Sequence, residues 1–323
     1  MREITFSQAT LEAMEEEMER DESIFIMGED IARQGGIFGQ FKGLADKFGP
    51  DKVRDTPISE TAIIGASVGA ALAGMRPVAD MHFADFMGVA MDELYNQMAK
   101  IRYMFGGQCT VPVVVRAPDG LSNQAAAQHS QSIEAWFMHV PGVKVVVPSN
   151  PADAKGLLKS AIRDDNPVIY FENKILYRET GPVPEGEIFV PIGKAKVAEE
   201  GTDVTIISYS IMMKTAFEVA EELKKDGISA EVIDLRTISP LDEETILESV
   251  KKTHRLAIVH EATKQGGVGA EISAIVAEKA IDYLDAPILR YGSPFVPVPF
   301  SPTLEDAYRI KSKDIIEGIK KMF

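Results

Sequence analysis

Short β-branched runs recur along this 323-residue chain, each followed by a stretch of helical periodicity, and that alternation leaves few folds open. VPVVVRAP (111–118) and VKVVVPSN (143–150) are of the kind that is buried on both faces, as parallel strands covered by crossover helices are. A helix, PADAKGLLKSAIRD, follows, and VIYFEN (168–173) supplies another strand. After ETGPVPEGE (179–187) the alternation restarts with DVTIISYS, a helix over 212–226, SAEVIDL, a helix over 242–252, RLAIVHE, a helix over 269–283, and PILRYG. The expected fold is α/β, with two domains that are each a mainly parallel sheet flanked by helices, divided as 1–185 and 186–323. The tail SPFVPVPFSPTLED is punctuated by proline and is expected to run extended over the surface. At the other end, Thr5 and Gln8 form a capping-box pattern ahead of a helix that places Phe6, Ala9, Ala13, Met14 and Met18 at helical spacing.

Charge and cysteine usage narrow the function classes. Lys and Arg number 34 against 49 Asp and Glu, a net charge of −15 that disfavours nucleic acid and anionic lipid as partners. The longest uncharged run, 61–75, falls short of the roughly 18 apolar residues of a membrane span. The N-terminus reads as a capped acidic helix and not as a signal peptide. A single cysteine, Cys109, excludes an internal disulfide and a cysteine zinc cage, so a reducing, cytoplasmic setting is expected.

The uncharged run carries the most informative local chemistry. Gly65 and Gly69 are four apart, as are Ala66, Ala70 and Gly74, so small side chains stack on one helix face and another backbone can approach closely. With no polar face the helix is expected to be buried all round, at an interface between subunits or domains. Glu60 stands at its N-terminus, beside a dry interior. It is either an ordinary first-turn acid or a carboxyl able to share a proton with a ring nitrogen. His129, in AAAQHSQS, sits in a small, polar, turn-rich stretch, where an imidazole is either merely solvated or free to move protons. His82, on a strand, is a weaker candidate; His139 and His254 read as bystanders, and His260 as a packing or interface residue. No histidine pair has zinc-ligand spacing. Phe86 ends the strand 77–86 and is by default a core aromatic. In SAIRDDNP (160–167) a helix ends in an acid-rich turn whose last carbonyls are open to water or to a cation. The glycines at 28, 35, 36 and 39 lack the Gly-Lys-Ser/Thr ending of a phosphate-binding loop.

Several motifs act together: GED at 28–30, DTPISE at 55–60, RYMFGG at 102–107, AAQHSQS at 126–132, NPADAKGLLKSAIRDDNPV at 150–168, then DLRTISPLD, HEA with GGVGAEI, and PVPFSPTLED. With these the whole chain resembles the β subunit of the thiamine-diphosphate-dependent first enzyme of 2-oxo-acid and acetoin dehydrogenase complexes, in the transketolase-like superfamily. The resemblance implies a pyrimidine-binding domain followed by a transketolase C-terminal-like domain. It implies that Glu60 hydrogen-bonds the aminopyrimidine ring nitrogen of the cofactor, that Phe86 stacks on that ring, that Ile58 meets it through its backbone, and that Glu29 is a second acid nearby. His129 matches the imidazole that handles protons during acyl transfer to lipoamide. Val113, Ala161, Ile162, Asp164 and Asn166 match a structural potassium site, mostly of main-chain carbonyls.

Enzymes of this kind hold the cofactor diphosphate through magnesium, with a Gly-Asp-Gly motif that this sequence lacks. The chain is therefore expected to be active only with an α subunit, in an α₂β₂ heterotetramer, with the α chain holding magnesium and a lipoyl-bearing acyltransferase core accepting the acyl group. Half of a transketolase-type transferase and a non-catalytic assembly subunit stand as alternatives. For the substrate, RYMFGG, LDAPI and PVPFSPTLED resemble the acetoin group, and HEA with GGVGAEI the branched-chain and pyruvate groups. The reading leans to acetoin or pyruvate.

Overall fold

The structure, a computed structural model, describes residues 1–323. In chain order its first elements are β1 (Arg2–Thr5), α1 (Phe6–Arg20), β2 (Ile24–Gly28), α2 (Leu44–Phe48), β3 (Val53–Asp55), α3 (Glu60–Leu72) and β4 (Arg76–Asp80). Next come α4 (Ala99–Met104), β5 (Val114–Asp119), α5 (Glu134–Met138), β6 (Lys144–Val146), α6 (Pro151–Arg163), β7 (Val168–Asn173) and β8 (Thr180–Val183). The remainder is β9 (Lys196–Glu199), β10 (Val204–Ser208), α7 (Met212–Lys225), β11 (Ala230–Asp234), β12 (Thr237–Ser239), α8 (Glu243–Thr253), β13 (Leu256–Thr263), α9 (Val268–Lys279), β14 (Leu289–Ser293), α10 (Pro302–Tyr308) and α11 (Ser312–Lys320). Two compact units result: Met1–Asp119 with Trp136–Ile192, and Gly120–Ala135 with Gly193–Phe323. Residues 120–135, which lie inside the first domain by sequence position, thus group with the second unit.

In the first unit the parallel strands run in the order β6-β7-β5-β4-β2-β3. A separate ribbon pairs β1 with β8 antiparallel, so residues 180–183 are a strand inside the proline-rich stretch. α1 begins at its capping box: the Gln8 N–H donates to Thr5 Oγ1 at 3.1 Å, and the Thr5 N–H to Gln8 Oε1 at 2.9 Å. α1 packs on α6 through an ion ladder over an apolar floor. Lys155 reaches Glu12 at 2.9 Å and Glu16 at 2.6 Å, Lys159 reaches Glu16 at 2.8 Å, and Arg163 forks onto Glu17. Beneath lie Met14, Ile24, Ile26, Leu157 and Tyr170.

Within the single chain α3 is covered on one side only. Ile63, Ile64, Ser67, Val68 and Ala71 face the interior, but Ala62, Ala66, Gly69 and Ala73 are exposed in the single chain. Leu72 is exposed as well, at 40%, so the elements of this chain cover one side of the helix and leave the other open.

In the second unit the order is β14-β13-β10-β11-β9, parallel except for β9 at the edge. Its core joins Ile206, Ala216, Val219, Val232 and Val259 to Ile315 and Ile319, which are four apart on α11. The tail is not simply extended. Pro302 starts α10 at the position where its missing N–H has no helical partner to lose, and the chain then folds back as α11. No helix is long and apolar enough to cross a membrane.

Candidate active site

Strand order in the first unit points to the place where chemistry can occur. From β2 the chain steps outward to β3, then returns to β4 on the other side of β2. At such a reversal the loops leaving the carboxyl ends diverge and open a crevice, the preferred ligand site of an open α/β sheet. Glu29 leaves β2 there, Ile58 and Glu60 follow β3, and His82 to Phe86 follow β4. Two cross-links tie the three loops: the Thr56 N–H donates to the Gly28 carbonyl at 2.9 Å, and Thr61 Oγ1 donates to the Val89 carbonyl at 3.1 Å. Gly28 is required by close approach, since a Cβ there would stand 2.8 Å from the Asp80 Cβ.

Glu60 opens α3, is 8% exposed, and receives no hydrogen bond from the chain. Its carboxyl therefore keeps its full bonding capacity for a donor from outside. Glu29 is half-buried, and burial, then repulsion from Glu60 and Asp30, pushes its carboxyl above the usual range. Ile58, between β3 and α3, is 81% exposed. Phe86 meets Phe83 edge-to-face at 6.0 Å, Phe83 meets Phe38 at 6.0 Å, and Phe38 stacks on Tyr177 at 5.2 Å. Two interacting acids and a chain of aromatic rings thus stand on the loops that leave the carboxyl ends of β2, β3 and β4. The crevice residues of this chain offer no cluster of His, Cys, Asp and Glu able to hold a metal ion.

A buried charged group under this crevice escaped the sequence reading. Arg116 on β5 forks onto Glu172 on β7 at 2.8 and 2.7 Å, with both side chains essentially inaccessible, and its guanidinium lies 4.6 Å from the Phe41 ring centroid. Asp80, paired with Arg116 in the β4–β5 register, is 1% exposed. Burial pushes its carboxyl up to about 7, against the opposing pull of the Arg116 charge. Asp80 Oδ2 accepts the His82 N–H at 3.2 Å and so holds His82 in its left-handed conformation, φ 51°. Burial pushes the His82 imidazole below its usual value, with Asp30 and Glu60 opposing. The available signal was a lone charge inside each of three apolar strands, VAD, VVVRAP and VIYFE.

The carbonyls proposed for a cation are gathered at one edge of the first unit. Val113 O accepts the Val168 N–H at 2.9 Å, Ala161 O the Asp164 N–H at 3.2 Å, and Arg76 donates to Ile162 O and Asp164 O at 2.9 and 2.7 Å. Asn166 donates through its backbone and its side chain to Asp164 Oδ1, both at 2.9 Å, and accepts from Arg102. Each carbonyl oxygen has two lone pairs, and here the Arg76 guanidinium occupies Ile162 O and Asp164 O while Lys144 pairs with the Asp164 carboxylate.

His129 belongs to the second unit, in the loop between β5 and α5. Asn123, Gln124 and Ala126 all take positive φ there, and the Gly120 N–H closes the loop base onto the Gln131 carbonyl at 3.1 Å. In the same unit Tyr209 Oη donates to Glu134 Oε1 at 2.5 Å and stacks on His260 at 6.3 Å. Burial pushes Glu134 up and His260 down to about 4, so that imidazole stays neutral. Its Nδ1 pairs with the Ala262 carbonyl at 3.1 Å. His260 is thus a packing residue.

Residues 2–180 match the transketolase pyrimidine-binding domain, and residues 193–315 the transketolase C-terminal domain. The acetoin:2,6-dichlorophenolindophenol oxidoreductase subunit beta of Cupriavidus necator is 48% identical over 99% of this chain and 97% of its own. The pyruvate dehydrogenase E1 component subunit beta of Rickettsia felis is 49% identical over 99% and 98%. The 2-oxoisovalerate dehydrogenase subunit beta of Bacillus subtilis is 46% identical over 96% and 95%. The chain belongs to this transketolase-like family of dehydrogenase β subunits. A solved structure described as a split gene transketolase, inactive beta4 tetramer, shares the β-subunit fold with a TM-score of 0.82 at 24% identity, covering 99% of this chain and 98% of its own. In the β subunit, then, the crevice at β2, β3 and β4 lies wholly in the pyrimidine-binding domain.

Proposed function

We propose that this β subunit forms half of a thiamine-diphosphate-dependent dehydrogenase that cleaves acetoin or a 2-oxo acid and passes the acyl group to lipoamide. The observation that carries the reading is Glu60, a buried carboxyl at a helix N-terminus with no donor of its own, beside Glu29 and the aromatic shelf. Such an acid hydrogen-bonds a pyrimidine ring nitrogen and holds a proton there, Phe86 covers the ring face, and the Ile58 backbone fixes the ring's edge. When bound, thiamine diphosphate supplies a nucleophilic carbon and an electron sink. His129 gives and takes protons during transfer to lipoamide.

Without a Gly-Asp-Gly motif the chain depends on an α subunit for magnesium and the diphosphate, and the exposed small face of α3 suits close approach by a second chain. An α₂β₂ assembly serving a lipoyl-bearing core in the cytoplasm is the matching context. Potassium occupies the carbonyl set around Val113, Ala161, Ile162, Asp164 and Asn166. Relatives at 46–49% identity include acetoin, pyruvate and 2-oxoisovalerate types, so overall similarity does not rank the substrates.

Glu60→Gln and His129→Ala separate the two roles in the enzyme assembled with its α chain. Glu60→Gln keeps the size but cannot hold a proton toward the ring. It is expected to lower the lipoyl-dependent and the dye-linked rates together, by about 10²–10⁴-fold. His129→Ala is expected to lower the lipoyl-dependent rate far more than the dye-linked one. Parallel losses in both variants would refute the division of roles.

A further inference from the structure

The second unit has its own chain reversal. From β10 the chain goes to β11 on one side, and β13 pairs with β10 on the other. The crevice expected at the carboxyl ends of β10 and β13 is where an α/β sheet takes a ligand. Here it receives part of the chain itself. Tyr209 follows β10 directly, Glu261 lies near the end of β13, and both hold the loop 120–135. The Glu261 carboxylate accepts the Leu121 N–H at 3.2 Å and the Ser132 hydroxyl at 3.4 Å, one from each end of the loop. Tyr209 anchors Glu134 near its far end.

The tail holds the same loop from another direction. Leu121 packs with Val298 and Tyr308 in one apolar cluster. Glu305 of α10, 4% exposed, accepts the Gln124 N–H at 2.5 Å and is itself paired with Arg309 at 2.5 Å. Positive φ at Asn123, Gln124 and Ala126 is strained for residues with a Cβ and persists only when surrounding contacts enforce it. Glu261 and Glu305 supply contacts of that kind, as charge-assisted acceptors for backbone N–H groups. Two motifs with no assigned task, HEA at 260–262 and PVPFSPTLED at 297–306, thereby converge on the segment that bears His129.

We propose that the crevice of the C-terminal unit is a seat for the His129 loop, and that Glu261 and Glu305 are positioning residues for its imidazole. This rests on the role given to His129 above. Neither acid touches the reacting groups. Each acts by narrowing the loop to one conformation, so its removal lowers the fraction of enzyme with His129 in place.

The test uses the enzyme assembled with its α chain, in three measurements: hydrogen exchange of residues 121–132, the ratio of lipoyl-dependent to dye-linked rate, and the melting temperature. Glu261→Ala and Glu305→Ala are expected to speed exchange in 121–132 by about tenfold or more, as loss of a hydrogen bond to a charged acceptor implies. The rate ratio is expected to fall by a similar factor. Glu261→Gln, which keeps an acceptor oxygen, is expected to recover most of the ratio, an outcome that a purely structural role does not predict. If an alanine variant does not assemble, Ser132→Ala removes one anchor from the loop side and carries the same expectations at smaller size. Unchanged exchange in 121–132, or faster exchange with an unchanged ratio, overturns the proposal. His129→Ala is run in parallel: if it leaves the ratio unchanged, the role of His129 falls, while the exchange measurement still decides whether the seat exists.

Discussion

Asp80→Asn removes a buried carboxyl that the folded chain holds protonated over a wide pH range, and the consequence for stability can be worked out. The Asp80 carboxyl lies at about 7 in the fold, against 3.8 for an unburied aspartate. Between these values the unfolded chain has released the proton and the folded chain has kept it. Stability therefore falls as pH rises, by about 1.4 kcal/mol per unit, until the folded carboxyl also ionises near 7. From about pH 5.5 to about pH 8 the loss attributable to this group is on the order of 2 kcal/mol. Asparagine does not titrate, and its side-chain oxygen can still accept the His82 N–H that Asp80 accepts at 3.2 Å. Other titrating groups are common to both proteins and cancel in the difference. Urea unfolding of parent and variant across this range is expected to show the variant gaining on the parent by on the order of 2 kcal/mol, with the gain levelling off above neutrality. Stability curves that stay parallel at every pH would refute the assignment of a protonated Asp80.

Glu172→Gln leaves Arg116 buried without its counterion and is expected to destabilise the chain by about 3–5 kcal/mol, read as a lower urea midpoint; the double change Arg116→Met with Glu172→Leu is expected to recover most of this, and equal losses in the two would contradict the buried-pair account. Potassium is expected to raise the melting temperature of the assembled enzyme above that in matched sodium. At ten times the dissociation constant the stabilisation amounts to about 1.4 kcal/mol, and identical melting curves would remove the cation from the carbonyl set.

Features that depend on a few neighbouring residues were legible in the sequence. The capping box at Thr5 and Gln8, the β-branched runs that became β5, β6 and β7, and the helix opening at Glu60 all declare themselves within four to eight residues, the range over which backbone periodicity and capping act. Glu29, Glu60 and Phe86 were singled out through the motif resemblance; by local chemistry alone Glu60 reads equally as a first-turn acid and Phe86 as a core aromatic. Only tertiary structure decided which elements meet. Strand order, and with it the reversal at β2 and β4, is set by how crossovers pack, for which no residue period exists. Arg116 and Glu172 are 56 positions apart, and a single charge in an apolar strand does not announce its partner. The small-residue stripe through Ala66 and Gly69 could be read from the sequence, but that the single chain leaves it open follows from which neighbours lie against α3. The loop bearing His129 lies within the first domain by sequence position, yet groups with the second unit. Its backbone donors are met by Glu261 and Glu305, 140 and 181 positions away, and only the folded chain brings those carboxylates to it.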